Sequence, residues 1–145
     1  LREDLSNAVE TDAAAFEAVM GAFRLPKGTP EEKEVRNTAV QTATLNAAHV
    51  PLQVAKGAVK VMELALRCVE SANVNAISDA ASAAVMAKAG LTAAGYNVRI
   101  NVASLDDPSD GEQFLSPLRE LETQAAEIEK SIRERMGERG GFPLD

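Results

Sequence analysis

Apolar residues in the first part of the chain recur every three or four positions. That spacing is typical of one face of an amphipathic helix. It predicts a helix over residues 1–23 with the stripe Leu1, Leu5, Val9, Phe16, Val19 and Phe23. No Ser, Thr, Asp or Asn precedes Leu1 to act as an N-cap. We therefore expect the first helix to begin upstream and the chain to lack its true N-terminus.

Asp12 falls on this apolar stripe, with Ala8, Ala13 and Ala15 close by. A buried carboxylate is costly unless it is paired, hydrogen-bonded or neutralised. Burial away from water raises the pKa of a carboxyl group, so that the group can hold and transfer a proton near neutral pH. Two interpretations stay open on spacing alone. In the first, Asp12 is an acid–base group. In the second it has no chemical role, either because this face of the helix opens onto water or because Asp12 pairs with a buried Arg or Lys.

A second helix has a clear beginning. Residues 25–28, Leu-Pro-Lys-Gly, end the first helix. Thr29 then acts as N-cap, Pro30 occupies the first helical position, and Glu32 reaches back as in a capping box.

This second apolar pattern continues through a proline. We predict one helix over residues 30–71, kinked at Pro51, with two helices meeting at Val50–Pro51 as the alternative. In either case the carbonyl oxygen of Ala47 loses its helical donor, because proline has no N–H.

Residues 71–75 break the helical pattern. We expect Asn75 to cap the next helix, with Asp79 in its first turn at the positive end of the helix dipole. That helix is Ala-rich through Ala94. Residues 97–102 alternate like a strand, but a lone strand has no partner here, so we predict that they continue the helix.

A turn over residues 106–111 precedes the last helix. We predict that helix over residues 112–137, stabilised by an ion pair between Glu129 and Arg133. Its heptad-like apolar positions, typical of a packing or dimer helix, are Leu118, Leu121, Ala125, Ile128 and Ile132. The fold class is all-α, a bundle of long, mostly antiparallel helices. Residues 1–139 form one domain and residues 140–145 a frayed tail.

Composition and charge exclude several classes of function. The chain is 46% hydrophobic but 3% aromatic, which suits closely packed helices, and its net charge is −7. Without a basic run, nucleic acid is not an expected partner, although a small anionic substrate needs only one or two cations. No apolar run is long enough to span a membrane and no signal peptide is present, so a cytoplasmic protein is expected.

Cys68 and His49 are the sole residues of their types. A single cysteine forms no internal disulfide, and the helical spacing puts Cys68 on an apolar face, which favours a packing role over that of a nucleophile. One histidine without a cysteine cluster makes a zinc or transition-metal site improbable.

Several other polar residues lie where the pattern favours apolar ones, or at helix ends. Capping explains one or two of the four residues at one helix start, and buried amides must find partners. Asn97 and Asn101 are therefore either a structural network or ligand contacts, and Lys27 is either a solvated loop lysine or a charge held over the end of the first helix. The set comprises Lys27, Asn73, Asn75, Ser78, Asp79, Asn97 and Asn101.

The order of these segments resembles a known family. The motifs are Asp12-Ala-Ala-Ala-Phe16, Leu25-Pro26-Lys27, Val50-Pro51-Leu52, Asn73-Val-Asn75-Ala-Ile-Ser78-Asp79 and Asn97-Val-Arg-Ile-Asn101. Together, over about the first 107 residues, they resemble the formiminotetrahydrofolate cyclodeaminase / methenyltetrahydrofolate cyclohydrolase family. Its glycine-rich Pro-Gly-Gly-Gly-Ser segment is absent here, and Ala72 stands where the family usually has Gly.

The resemblance implies a helical homodimer that binds a tetrahydrofolate one-carbon derivative and needs no metal or redox cofactor. It assigns Asp12 as general acid/base and Lys27 as a positive charge near the glutamate tail or the intermediate. The pterin or the reacting nitrogens would be held by Asn73, Asn75, Ser78 and Asp79, with Asn97 and Asn101 lining the same pocket. Arg36 is a weaker candidate for the folate carboxylates.

Three readings of the function follow. The first is an enzyme, either a cyclodeaminase that closes N10 onto the formimino carbon and expels ammonia, or a cyclohydrolase that opens the methenyl bridge with water. The second is a non-catalytic helical interaction or dimerisation module, in which Asp12 and Asn101 face solvent. The third is a family member that is inactive because its N-terminal region is missing.

Overall fold

Four long helices make up the fold in the computed structural model, which describes residues 1–141. They are α1 (Arg2–Phe23), α2 (Pro30–Ser71), α3 (Ile77–Ala103) and α4 (Glu112–Gly140). Short 3-10 turns, Val74–Ala76 and Pro108–Gly111, precede α3 and α4. The predicted all-α class is confirmed, and residues 97–102 are helical. No helix within the described range is long and apolar enough to cross a membrane.

The beginning of α2 is the predicted capping box. The Thr29 hydroxyl accepts a hydrogen bond from the Glu32 N–H at 3.2 Å, and the Glu32 carboxylate accepts one from the Thr29 N–H at 3.1 Å. The same carboxylate accepts a second from the Gly28 N–H at 2.7 Å. α2 then runs unbroken through Pro51, so the two-helix alternative is wrong. The bend at Pro51 stays a prediction.

The beginning of α3 differs from the prediction. Asn73, not Asn75, is the capping residue: its side-chain oxygen accepts from the Asn75 N–H at 3.0 Å. The cap belongs to the 3-10 turn, and α3 itself starts without a side-chain cap. The physical reason is that the chain makes one tight turn before the α-helix, which moves the capping position two residues earlier.

α2 packs against all three other long helices. The Asn101 amide reaches the Ala47 carbonyl, which sets α3 antiparallel to α2. α4 reverses direction again, because Arg99 of α3 bonds Glu122 and Lys88 bonds Glu129. These contacts confirm a mostly antiparallel bundle.

The core lies between α2, α3 and α4 and is built largely from Ala, Val and Leu. Its largest fully buried side chains are Met62, Leu118, Val69 and Val98. On α4 the heptad-like stripe is buried except for half-buried Leu121. α4 extends three residues beyond its predicted end, to Gly140. Residues 142–145 of the expected tail lie outside the described residues.

The apolar stripe of α1 is largely uncovered, so the burial that its periodicity suggests is not observed. Ala22, which lies outside the stripe, is the one buried residue of α1, whereas the stripe residues Val9 and Phe16 are 72% and 59% exposed. The reason is that α1 packs chiefly on α2, through contacts such as Leu5 beside Gly57. Periodicity shows that a face is apolar but does not show what covers it.

A glycine comparison tests the packing where α3 meets the turn before α4. A Cβ on buried Gly111 would clash with the Val102 side chain, whereas one on Gly137 of α4 meets no atom within 4 Å. We expect Gly111→Ala to lower the free energy of unfolding by about 1–3 kcal/mol through overpacking. Gly137→Ala is the control and should raise it by up to about 1 kcal/mol through helix propensity. Urea unfolding measures both, and an unchanged Gly111→Ala midpoint would contradict the packing.

Candidate functional site

Asp12 is exposed on α1. Among residues 1–141 it has no hydrogen bond or ion pair, so in a single chain its face opens onto water. The contacts of Phe23 with Arg36 and of Leu5 with Gly57 bracket α1 along α2. They place Asp12 roughly level with the turn of α2 that precedes Pro51. Its catalytic role stays a prediction.

Arg36 has a structural partner that the sequence did not indicate. It is half-buried, and its Nε donates to the Phe23 carbonyl at 3.1 Å. Its guanidinium carbon also lies 5.3 Å from the centroid of the Phe23 ring, a cation–π distance. Arg36 therefore satisfies a carbonyl at the C-terminal end of α1. Lys27 lies exposed in the loop that connects α1 to α2.

Four candidate residues gather where α2 turns into α3. Asn73 uses its side-chain oxygen within the turn, and its carbonyl accepts from the Ala76 N–H at 2.9 Å. Asn75, Ser78 and Asp79 are exposed and make no side-chain hydrogen bond within the described part of the chain. Three side chains at this end are thus free to meet a ligand.

Asn101 lies at the opposite end of α3 and closes the gap left by Pro51. Its amide nitrogen donates to the Ala47 carbonyl at 3.3 Å and to the Asn97 carbonyl at 2.9 Å. Ala47 is the residue whose helical donor is missing, so Asn101 supplies the hydrogen bond that proline cannot. Asn97 bonds the Ala93 carbonyl of its own helix at 3.0 Å and remains exposed.

The two groups do not line one pocket within a single chain. At about 1.5 Å rise per residue, Asp79 and Asn97 lie about 27 Å apart along α3. The expectation that Asn97 and Asn101 share a pocket with the Asn73–Asp79 group therefore fails for one chain. The shared pocket was an implication of the resemblance, whereas the predicted continuous helix already requires this separation.

A groove of about 500 Å³ lies between α3 and α4. It falls within the size range of small-molecule sites, about 300–1,000 Å³. Its lining is mainly apolar and includes Met86 and Met136, with Lys88 paired to Glu129 at one side. Ser78 is the one candidate residue in this groove.

Sequence reasoning missed two arginines that link helices. Arg99 forms a two-pronged pair with Glu122 at 2.9 and 2.8 Å, and this hydrogen bonding raises the pKa of Arg99 above its usual value. Arg139, at the end of α4, donates to the carbonyls of Val69 and Ala72. Neither contact has a local signal, because each partner is far away in the sequence. Within residues 1–141 no cluster of His, Cys, Asp and Glu is arranged to hold a metal ion.

Residues 1–120 match the family model described as formiminotransferase-cyclodeaminase. The chain belongs to this family. It is 40% identical over 134 residues to methenyltetrahydrofolate cyclohydrolase of Methylorubrum extorquens, a match that covers 92% of this chain. It is 34% identical over 135 residues to formimidoyltransferase-cyclodeaminase of Rattus norvegicus, covering 90% of the chain.

A solved member of the family has a similar fold. Formiminotetrahydrofolate cyclodeaminase from Thermotoga maritima superposes with a TM-score of 0.80 at 26% identity, covering 94% of this chain. The chain spans 64% of the length of the Thermotoga protein and of the Methylorubrum protein, and 25% of the length of the rat protein.

A double-mutant cycle tests the contact between Asn101 and the proline turn. Asn101→Ala should lower the free energy of unfolding by about 1 kcal/mol, because it leaves the Ala47 carbonyl without a donor. In a Pro51→Ala background, the new backbone N–H satisfies that carbonyl, so the cost should largely disappear. Asn97→Ala is the control, since Asn97 bonds only its own helix, and should show no coupling to Pro51. Equal costs of Asn101→Ala in both backgrounds would refute the contact.

Proposed function

We propose that this chain carries out one-carbon chemistry on tetrahydrofolate. It either converts 5-formiminotetrahydrofolate to 5,10-methenyltetrahydrofolate and ammonia, or interconverts the 5,10-methenyl and 10-formyl forms. The observation that carries the proposal is the 40% identity to a methenyltetrahydrofolate cyclohydrolase over 92% of the chain. Relatives named for each reaction match, so both reactions remain in the proposal.

Proton transfer is the chemistry that these residues can supply. In the cyclodeaminase reaction N10 attacks the formimino carbon, N10 loses its proton, and the formimino nitrogen gains protons and leaves as ammonia. In the cyclohydrolase reaction water adds to the methenyl carbon and loses one proton, which leaves a hydroxyl on that carbon. The hydroxyl then loses its proton to form the formyl C=O as the bond from that carbon to N5 breaks, and N5 takes up a proton. One carboxylate can act as acid and base in either sequence, and we assign Asp12 to it.

The remaining roles follow from position and charge. Lys27 would meet the anionic tail or the intermediate, and the amides and hydroxyl of the other candidates would hold the pterin. The proton transfers use protein groups and water, so the proposal includes no metal or redox cofactor. The cytoplasmic location expected from the sequence is part of the same proposal.

We further infer a homodimer formed through α3. One face of α3 is exposed along its whole length, and Met86 on it is 75% exposed. Its residues are spaced three or four apart, polar at both ends and small or apolar between: Asp79, Ala83, Met86, Gly90, Ala93 and Asn97. Asp79 is the one charge on this face.

An antiparallel pairing of this face with a second copy would join the separated groups. Centred near Gly90, it puts Asp79 of one copy level with Asn101 of the other, so each end combines residues from both chains. No like charges meet in this arrangement, because the Asp79 carboxylate of each copy faces the Asn101 amide of the other copy. Gly90 suits a close helix crossing, since no atom of its own chain lies within 4 Å of an added Cβ.

The second candidate function is a non-catalytic interaction module. The exposure of Asp12 favours it, because that reading expects a solvent-facing residue there. Half-buried Asn101, tied to the proline turn, does not fit it. Calorimetric titration with a tetrahydrofolate analogue separates the two, since defined binding excludes the module.

Asp12→Asn tests the catalytic assignment. We expect turnover to fall by about 100-fold or more with the helical circular dichroism unchanged, because the amide cannot exchange a proton. The measurement is the near-ultraviolet absorbance of the methenyl bridge, which rises with 5-formiminotetrahydrofolate and falls with the methenyl substrate. The matched control is Asp4→Asn on the same helix, which should retain activity. Normal turnover in folded Asp12→Asn would end the assignment, and no turnover of either substrate by the unmodified chain would end the enzyme proposal.

Gly90→Leu tests the dimer. No atom of the same protomer lies within 4 Å of a Cβ added at the exposed Gly90. The helical content should therefore be retained while light scattering reports one chain instead of two. The control is Gly137→Leu, at an exposed glycine of α4 that also has open space, and it should leave the dimer intact. A monomeric unmodified protein, or a dimer indifferent to Gly90→Leu, would refute pairing through α3.

A further inference from the structure

Arg139 reaches from the last turn of α4 to the end of α2. Its guanidinium donates to the Val69 carbonyl and, at 2.8 Å, to the Ala72 carbonyl. The side chain is half-buried, so these bonds are partly shielded from water. One planar guanidinium group thus donates to two carbonyls, one in the last helical turn of α2 and one on the extended residue just after it.

The end of α2 needs an outside donor. The last carbonyls of a helix have no intrahelical partner, and they carry the negative end of the helix dipole. Ala72 is extended, with φ −77° and ψ 176°, so the helix does not close on a left-handed residue. α2 has no basic residue in its own last turn. Arg139 therefore donates to one of these last carbonyls, that of Val69, and to the Ala72 carbonyl just beyond the helix, and it brings a positive charge to this end of α2.

The residue held by Arg139 begins the segment that carries four candidate site residues. Asn73 follows Ala72 directly, and two hydrogen bonds to Asn73 fold the next three residues into the 3-10 turn. That turn leads without a break into Ser78 and Asp79 at the start of α3. The direction of the chain at Ala72 thus sets where Asn75, Ser78 and Asp79 point.

We propose that Arg139 is a positioning residue for the Asn73–Asp79 segment. It touches no substrate, and it acts by fixing the Ala72 carbonyl against α4. The role extends the site to the last turn of α4, beyond the residues 1–120 that match the family model. As a statement about folate binding it rests on the proposed function, whereas its structural part does not.

Two variants of Arg139 and one control test the proposal in the full chain. Arg139→Lys keeps the charge but cannot bridge both carbonyls, and Arg139→Gln removes the charge. The control is Arg135→Ala, one turn earlier on α4, where Arg135 pairs with Glu138 at 2.7 Å. The first readout is hydrogen exchange at the amides of Asn75 and Ala76, which bond to Asn73. The second is KM and kcat for the folate substrate.

We expect amide exchange at Asn75 and Ala76 to be about tenfold faster in Arg139→Gln, because the hydrogen bonds from the guanidinium to the Val69 and Ala72 carbonyls are lost. KM should rise about tenfold with kcat changed by less than about twofold, Arg139→Lys should lie between, and Arg135→Ala should match the unmodified protein. Unchanged amide exchange in both Arg139 variants would refute the proposal that Arg139 holds the Ala72 carbonyl and the turn that follows it. Faster exchange with unchanged KM in the folded variants would reduce Arg139 to a helix cap and overturn the positioning role. If the unmodified chain binds no folate, the proposed function fails and the exchange result still decides whether Arg139 holds this turn.

Discussion

The fold depends on satisfying the backbone carbonyls that α2 cannot satisfy itself. A helix interrupted by proline and ended without a left-handed cap leaves acceptors without helical donors. Asn101 of α3 supplies a donor at Ala47, and Arg139 of α4 supplies donors at Val69 and Ala72. Each donor comes from a different helix, so the bonds that complete α2 also fix α3 and α4 around it. The apolar core between the same helices provides the larger energy but is less specific about register.

Local signals predicted the elements, and contacts between distant residues decided what the elements do. The capping box at Thr29 and the helical spacing of α1 to α4 could be read from neighbouring residues, since both depend on positions within one or two turns. The carbonyl of Ala47 was also predictable as unsatisfied, because that follows from Pro51 alone. Its partner Asn101 was not, because proline specifies a missing donor and nothing about its source. The same limit hid the contact between Arg36 and Phe23.

Candidate site residues show a similar division. Their types and order indicated a family, and the family is shown by the match over residues 1–120. The separation of Asp79 from Asn97 follows from the predicted helix alone, because each helical residue adds about 1.5 Å. The exposure of Asp12 and the contact of Asn101 with Ala47 could not be predicted, because they depend on how the helices pack. The apolar stripe of α1 shows the same limit. The sequence pattern is present, but no other part of the described chain covers most of its residues. A face that is apolar and exposed in one chain is a face available to another.

The length of α3 bears most strongly on how a site could be built. A pocket of about 300–1,000 Å³ is about 7–10 Å across if roughly cubic. Asp79 and Asn97 lie about 27 Å apart along one helix, so a pocket of that size cannot contact both in the same chain. Either the two groups serve different purposes or they meet across two chains. Antiparallel pairing about the middle of α3 gives the second result without bending any helix, and it repeats the same composite end twice by symmetry. Asp12, which is exposed in one chain, can be desolvated only when substrate or a second chain covers it.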